Sequence, residues 1–180
     1  MTSRRGVRLG LDVGSVRVGL AQSDPDALLA TPLRTLQRDA RKGSDLNIVV
    51  KEALSQQVHI IYVGLPQTLR GSESASAEAA RLLAQELAGR LAAAGSTAEV
   101  RLVDERFSTT TAHRQLHQAG VPGRAHRKVV DQMAAAGILQ HALEIEKSTG
   151  SPAGQAVQAK IGTDDGGTGE SRAGGHSVAE

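Results

Sequence analysis

From Arg8 to Ser23 the chain reads RLGLDVGSVRVGLAQS. Leu9, Leu11 and Val13 alternate with Gly10, Asp12 and Gly14. A period of two predicts a strand with one apolar face and one nearly bare face. RVGLAQS follows after Ser15 and Val16, which predicts a hairpin. LLATPLRTL predicts a third strand, with Pro32 favouring a sheet edge or a bulge. In SDLNIVVKEALSQQ, Leu46, Val49, Val50, Ala53 and Leu54 fall on helical spacing, and Ser44 is placed to cap the start. VHIIYVGLP is a continuous apolar run, the pattern of a strand covered on both faces. SASAEAARLLAQELAGRLAAAG predicts a long Ala/Leu helix ending at Gly95, and EVRLVDERF another buried strand. STTTAHRQLHQAG predicts a helix capped by Ser108 and stopped by Gly120. RKVVDQMAAAGILQHALEIEK predicts a last helix with a wide apolar face. The order β-β-β-α-β-α-β-α-α describes an α/β fold with a mixed sheet and helices packed on it.

From Ser148 onward large apolar groups are scarce and Gly, Ser and Ala abound. Such a segment cannot bury enough surface to offset its ordering entropy. The expectation is therefore one domain over residues 1–147 and a disordered tail over 148–180. The tail carries two basic and four acidic residues and the body 19 and 15, so the overall +2 conceals a basic body. A basic body makes a polyanionic partner plausible. Aromatic residues amount to 1%, which argues against a nucleic-acid site built on stacked rings. Cysteine is absent, which excludes disulfides, thiol nucleophiles and thiolate-bound zinc. With no signal-peptide pattern at the start and no span-length apolar run, a soluble cytoplasmic protein without membrane contact is expected.

Three acids stand in awkward places. Asp12 lies mid-strand among glycines. It is either a turn-facing acceptor or a metal ligand for which the glycines leave room. Asp104 and Glu105 end a buried strand, where α/β folds place ligands. Alternation allows only one of them to share the face of Asp12, and the sequence leaves open which. Asp131 is followed at helical spacing by Ala134, Ala135, Ile138, Ala142 and Ile145, so it projects from the apolar face. A buried carboxylate there needs a cation, either a metal ion or an arginine in a salt bridge. Three carboxylates aimed at one point would suit hard divalent ions such as Mg²⁺ or Mn²⁺.

Two further stretches add candidates for phosphate contact. GLPQTLRGS offers Thr68, Arg70 and Ser72 at a strand's carboxyl end, with Gly64 and Pro66 shaping the turn. RFSTTTAHRQLHQAGVPGRAHRK holds Arg106, Arg114, Arg124, Arg127 and Lys128, with Ser108 and Thr109 at a predicted helix start. GVPGRAHRK is expected to be a mobile loop over the site. Arg17, at the start of the second strand, completes the set. His113 and His117 stand at i and i+4 without a third ligand or a glutamate between them, a weak metal pattern.

LGLDVGSVRVGLAQSD, VGLPQTLRGSESASA, VDERFSTTTAH and VVDQMAAAGILQ, in that order, resemble the YqgF-type (RuvX) family. Its members are RNase H-like bacterial nucleases, described as Holliday junction resolvases and as nucleases processing the precursor of small-subunit ribosomal RNA. The resemblance runs from Arg8 to Glu144. It implies a five-stranded mixed sheet flanked by helices. It also implies that Asp12, Glu105 and Asp131 hold Mg²⁺ or Mn²⁺, with Asp104 in reserve. In-line attack by a metal-activated water, with the 3′ oxygen leaving, is likewise an implication of the family. The implied partners are precursor ribosomal RNA or branched DNA, and a ribosomal subunit. A junction resolvase needs two symmetric cuts and hence a homodimer, whereas a single cut needs a monomer. No long exposed apolar stripe is reserved in the sequence for a dimer.

Two other readings rank lower. A sugar-kinase- or actin-like ATPase also opens on an acid followed by Gly and Ser, but one lobe without a second phosphate hairpin does not enclose ATP, and GxxxxGK[ST] is missing. A non-catalytic RNase H-like module for ribosome assembly or transcription would not need all three acids.

Overall fold

The computed structural model describes residues 5–66, 74–105 and 124–159. Strands β1 (Arg8–Val13), β2 (Arg17–Ser23) and β3 (Ala30–Gln37) come first. Helix α1 (Ser44–Ser55), β4 (Ile60–Leu65), α2 (Ala75–Ala93) and β5 (Glu99–Asp104) follow. The chain closes with α3 (Arg124–Thr149) and a two-residue strand β6 (Gln155–Ala156). The sheet order is β3-β2-β1-β4-β5-β6. β1 runs parallel to β4, and β4 to β5, while β2 is antiparallel to both β1 and β3. This is the mixed α/β arrangement, a sheet flanked by helices, that the resemblance implies. Among the described residues it has six strands rather than five, because β6 adds antiparallel to β5.

Alternation along the strands builds a core on each face. Leu9, Leu11, Val18, Leu20, Ile61 and Val63 pack with Leu46 and Val49 of α1 and Leu83 and Leu87 of α2. On the opposite face Ala21, Ile60, Tyr62 and Val103 pack against Ala135, Leu139, Ala142 and Leu143 of α3. All six residues of β4 are buried, as expected of a strand covered on both sides. β3 is an edge strand, and its pairing with β2 shifts between Leu20 and Ala21, beside Pro32. Both features spare the proline a missing ladder bond.

Several expectations are corrected. Ser44 does not cap α1: the cap position is Gly43, at φ 66°, and Ser44 Oγ donates instead to Asp39 Oδ2 at 2.6 Å. RAHRK is not loop but the first turns of α3. The tail does not start at Ser148. Past the end of α3, Val157 N–H donates to the Val100 carbonyl at 2.8 Å, and Ala153 is 1% exposed. The helix expected over STTTAHRQLHQAG lies outside the described residues. No described helix is long and apolar enough to cross a membrane.

Candidate active site

The site begins with what the glycines of the sheet make possible. Asp12 lies in β1 opposite Gly19 of β2, and directly paired residues share a face. That face is covered by α3. A side chain at Gly10 would bring Cβ within 2.7 Å of Leu139 Cβ and 2.9 Å of the Ala135 carbonyl oxygen. At Gly19 a Cβ would overlap the backbone carbonyl of Asp131 itself. The helix therefore rests on the strand backbone, and its contact at Gly19 sets Asp131 beside the residue that pairs with Asp12. The bare face around Asp12 is thus filled in part by the helix: Gly10 and Gly19 admit α3. Gly14 belongs to the hairpin, where its N–H donates to the Arg17 carbonyl at 2.8 Å.

The choice between Asp104 and Glu105 follows from register. Asp104 pairs with Leu65, which belongs to the core under α1 and α2. Glu105, one residue past the strand, turns the other way. Its carboxylate lies over Gly64, in the space a Cβ there would take, beside Ile138 of α3. Glu105 therefore shares the α3 face with Asp12. Gly64 is not a turn residue but the floor under this acid. Asp12 and Glu105 are 4% and 7% exposed, so both carboxylates are taken out of bulk water.

Asp131 is placed differently. Its neighbours Ala134, Ala135, Ile138 and Ala142 are buried as the spacing predicts. The Asp131 side chain itself is 24% exposed and accepts from Arg17 Nε at 2.6 Å. Of the two readings of Asp131, the arginine salt bridge is the contact present. Arg127 and Lys128 stand one turn earlier on α3 and are exposed, and the Lys128 carbonyl accepts from Thr35 Oγ1 at 2.7 Å. Arg17, Arg127 and Lys128 thus gather at the end of α3 that holds Asp131. Arg124 lies on the first turn of the same helix. Thr68, Arg70, Ser72, Arg106, Ser108, Thr109, Arg114, His113 and His117 lie outside the described residues.

The donor set fits a hard divalent ion, since carboxylate oxygens are what such ions take. Two buried acids on one face also call for positive charge nearby. Their arrangement is incomplete: among the described residues no three acids or histidines stand together as ligands of one ion. The third acid is turned to Arg17.

Sequence reasoning missed a second polar cluster at the opposite end of β1. Arg8 is 2% exposed, donates through Nη2 to Glu146 at 3.0 Å and through Nη1 to the Gly6 carbonyl at 2.7 Å. Tyr62 also donates to Glu146. A cavity of about 920 Å³ opens there, bounded by Arg5, His59, Glu99, Leu143 and Lys147 among others, and holds none of the predicted site residues. The signal available in the sequence was an arginine at the first position of a buried strand, facing a glutamate late in an apolar helix face.

Comparison with known proteins supplies the family. A family model described as RuvX, Holliday junction resolvase, matches residues 6–145. A protein of Mycobacteroides abscessus is 48% identical over 147 residues, covering 82% of this chain and 86% of its own. One from Clavibacter sepedonicus is 44% identical over 154 residues, covering 86% and 92%. Both are named as candidate pre-16S rRNA nucleases. Among solved structures, Thermus thermophilus RuvC in complex with a Holliday junction aligns over 84% of this chain and 99% of its own, with 18% identity and a TM-score of 0.48. Matched by one family model over most of its length, the chain belongs to the RuvX family and is a nuclease, a hydrolase of phosphodiester bonds.

Proposed function

We propose that this nuclease is a divalent-metal-dependent endonuclease, that Asp12, Glu105 and Asp131 are its catalytic carboxylates, and that its substrate is structured RNA, the precursor of the small-subunit ribosomal RNA. One observation carries the reading: Asp12 and Glu105 are buried on a single face, and α3 brings Asp131 against the strand that pairs with Asp12. The relatives' names favour ribosomal RNA over a junction. A single cut in RNA requires one copy of the site, which goes with a monomer, and such a substrate goes with the cytoplasm.

Asp12, Glu105 and Asp131 would hold Mg²⁺ or Mn²⁺, which when bound acidifies water and stabilises an alkoxide leaving group. The chain's own contribution is placement. Low exposure of Asp12 and Glu105 keeps both acids from being screened by bulk water. Arg17, Arg127 and Lys128 present cations on the same side, where a phosphodiester backbone would be drawn in and oriented. Arg124, Thr68, Arg70, Ser72, Arg106, Ser108, Thr109 and Arg114 extend that set in this reading.

The test is cleavage of a labelled pre-16S RNA fragment and of a four-way DNA junction with Mg²⁺ or Mn²⁺. Asp12→Asn keeps the shape and removes a charge. We expect the RNA to be cut and the variant to lose at least about 100-fold in rate, the scale seen when a charge-stabilising catalytic group is removed. Cutting of the junction alone would reverse the substrate assignment. Cutting that survives Asp12→Asn would remove Asp12 from the site.

A further inference from the structure

We infer that Arg17 is a positioning residue that occupies the third carboxylate of the site until nucleic acid draws it away, so that metal and substrate bind cooperatively. The inference rests on the carboxylate site proposed above and concerns its assembly.

Asp12 and Glu105 share the α3 face, and α3 sets Asp131 against Gly19, the partner of Asp12, yet Asp131 is held at 2.6 Å by Arg17 Nε. Both backbones are fixed. The Arg17 carbonyl accepts from Gly14 N–H, and α3 rests on Gly19 at the Asp131 carbonyl. Only side-chain torsions need to change to part the pair. The two groups are 23% and 24% exposed, so water reaches the pair and it lacks the full strength of a buried one. The pair engages Arg17 through Nε, and a guanidinium carries further N–H donors in the same plane that match a phosphate. Arg127 and Lys128 lie close by on α3, and a phosphodiester attracted to them meets Arg17 at the same time. A phosphate competes for Arg17 and a divalent cation competes for Asp131. Each partner therefore removes the obstacle to the other, and the coupling must be reciprocal.

The experiment measures Mn²⁺ binding by electron paramagnetic resonance, with and without a cleavage-resistant 2′-O-methyl phosphorothioate RNA hairpin. Wild type should bind Mn²⁺ more tightly when the hairpin is present. Arg17→Gln should bind Mn²⁺ about two- to fivefold more tightly than wild type without the hairpin, the scale of one partly exposed ion pair. It should gain little more when the hairpin is added. Arg17→Lys should restore wild-type behaviour. Arg34→Gln removes the same charge from the other face of the sheet, where Arg34 meets Glu52 of α1, and should change nothing. Equal Mn²⁺ affinity in wild type and Arg17→Gln overturns the inference, as does an equal gain in Arg34→Gln. Asp131→Asn separates the two levels. If it binds Mn²⁺ as wild type does, Asp131 is no ligand, and the site reading falls together with the inference. If it loses Mn²⁺ while Arg17→Gln is unchanged, only the inference falls.

Discussion

Tyr62 is the single tyrosine of the chain, and it is fully buried in the central strand β4. Its hydroxyl donates to Glu146 and accepts from the Ala153 N–H at 3.3 Å. Burial, then the hydrogen bond to Glu146 and its negative charge, push the phenol well above its ordinary value of 10. A raised acid contributes stability that is complete below the unfolded value and is lost as pH rises beyond it. Urea unfolding of wild type should therefore weaken above about pH 10 relative to Tyr62→Phe, which has no proton to lose. Near pH 7 the Phe variant should be less stable by about 1 kcal/mol, the worth of a typical buried hydrogen bond. Parallel pH profiles for the two proteins would contradict this. Tyr62 and Arg8 were invisible as a pair in the sequence, since their link runs through a glutamate 84 residues from Tyr62. Asp12 was legible because a carboxylate on a bare strand face has few explanations. Glu105 was not separable from Asp104, because the face taken by a residue past a strand depends on where pairing stops. The glycines were read as room for a ligand. In the structure Gly10, Gly19 and Gly64 admit a helix and an acid, and periodicity alone does not tell these occupants apart.

At the scale of elements, long apolar periods were read well and short backbone-made pieces were not. β1, β2, β4, α2 and the last helix follow the pattern because each buries several side chains on one face. Residues 150–157 bury mainly Ala153 and hold on through backbone and one arginine. Arg101 donates to the Ala153 carbonyl at 2.6 Å and to the Gly154 carbonyl at 2.7 Å. Gly154, at φ 66°, lies where a Cβ would overlap the Leu102 carbonyl. No composition window registers such a strap, which is why its Gly, Ser and Ala suggested disorder. It covers the edge of β5 that would otherwise present unpaired backbone groups. A chain ending after Thr149 should lose about 2 kcal/mol or more, from the ladder bonds and the Arg101 contacts, and should aggregate more readily. A chain ending after residue 159 keeps the strap and should melt above the chain ending after Thr149. Thermal unfolding of the two chains beside the full sequence checks this, and equal melting temperatures would show that the strap adds no stability.

Taken as a whole the molecule is only slightly cationic, at +2, so its affinity for a polyanion must come from where charges sit rather than from their total. β1 runs between two differently wired ends. At its amino end Arg8 is buried against Glu146, and Arg5 faces Asp26 at 2.8 Å. Beyond its carboxyl end, Arg127 and Lys128 are exposed on α3, and Arg17 pairs with Asp131. Binding to RNA releases counterions in proportion to the phosphates neutralised, so the logarithm of affinity falls linearly with the logarithm of salt concentration. If Arg127 and Lys128 each meet a phosphate, Arg127→Gln with Lys128→Gln should lower that slope by about two, or somewhat less on single-stranded regions. Arg5→Gln removes a charge at the far end and should leave the slope unchanged, although it lowers the net charge as any single neutralisation does. Fluorescence anisotropy of a labelled pre-16S fragment at several salt concentrations reads both. A slope that tracks net charge alone, equal per charge at either end, would mean that the protein meets RNA as a diffuse cation and that the end of the sheet carrying Asp12, Glu105 and Asp131 is not where the backbone docks.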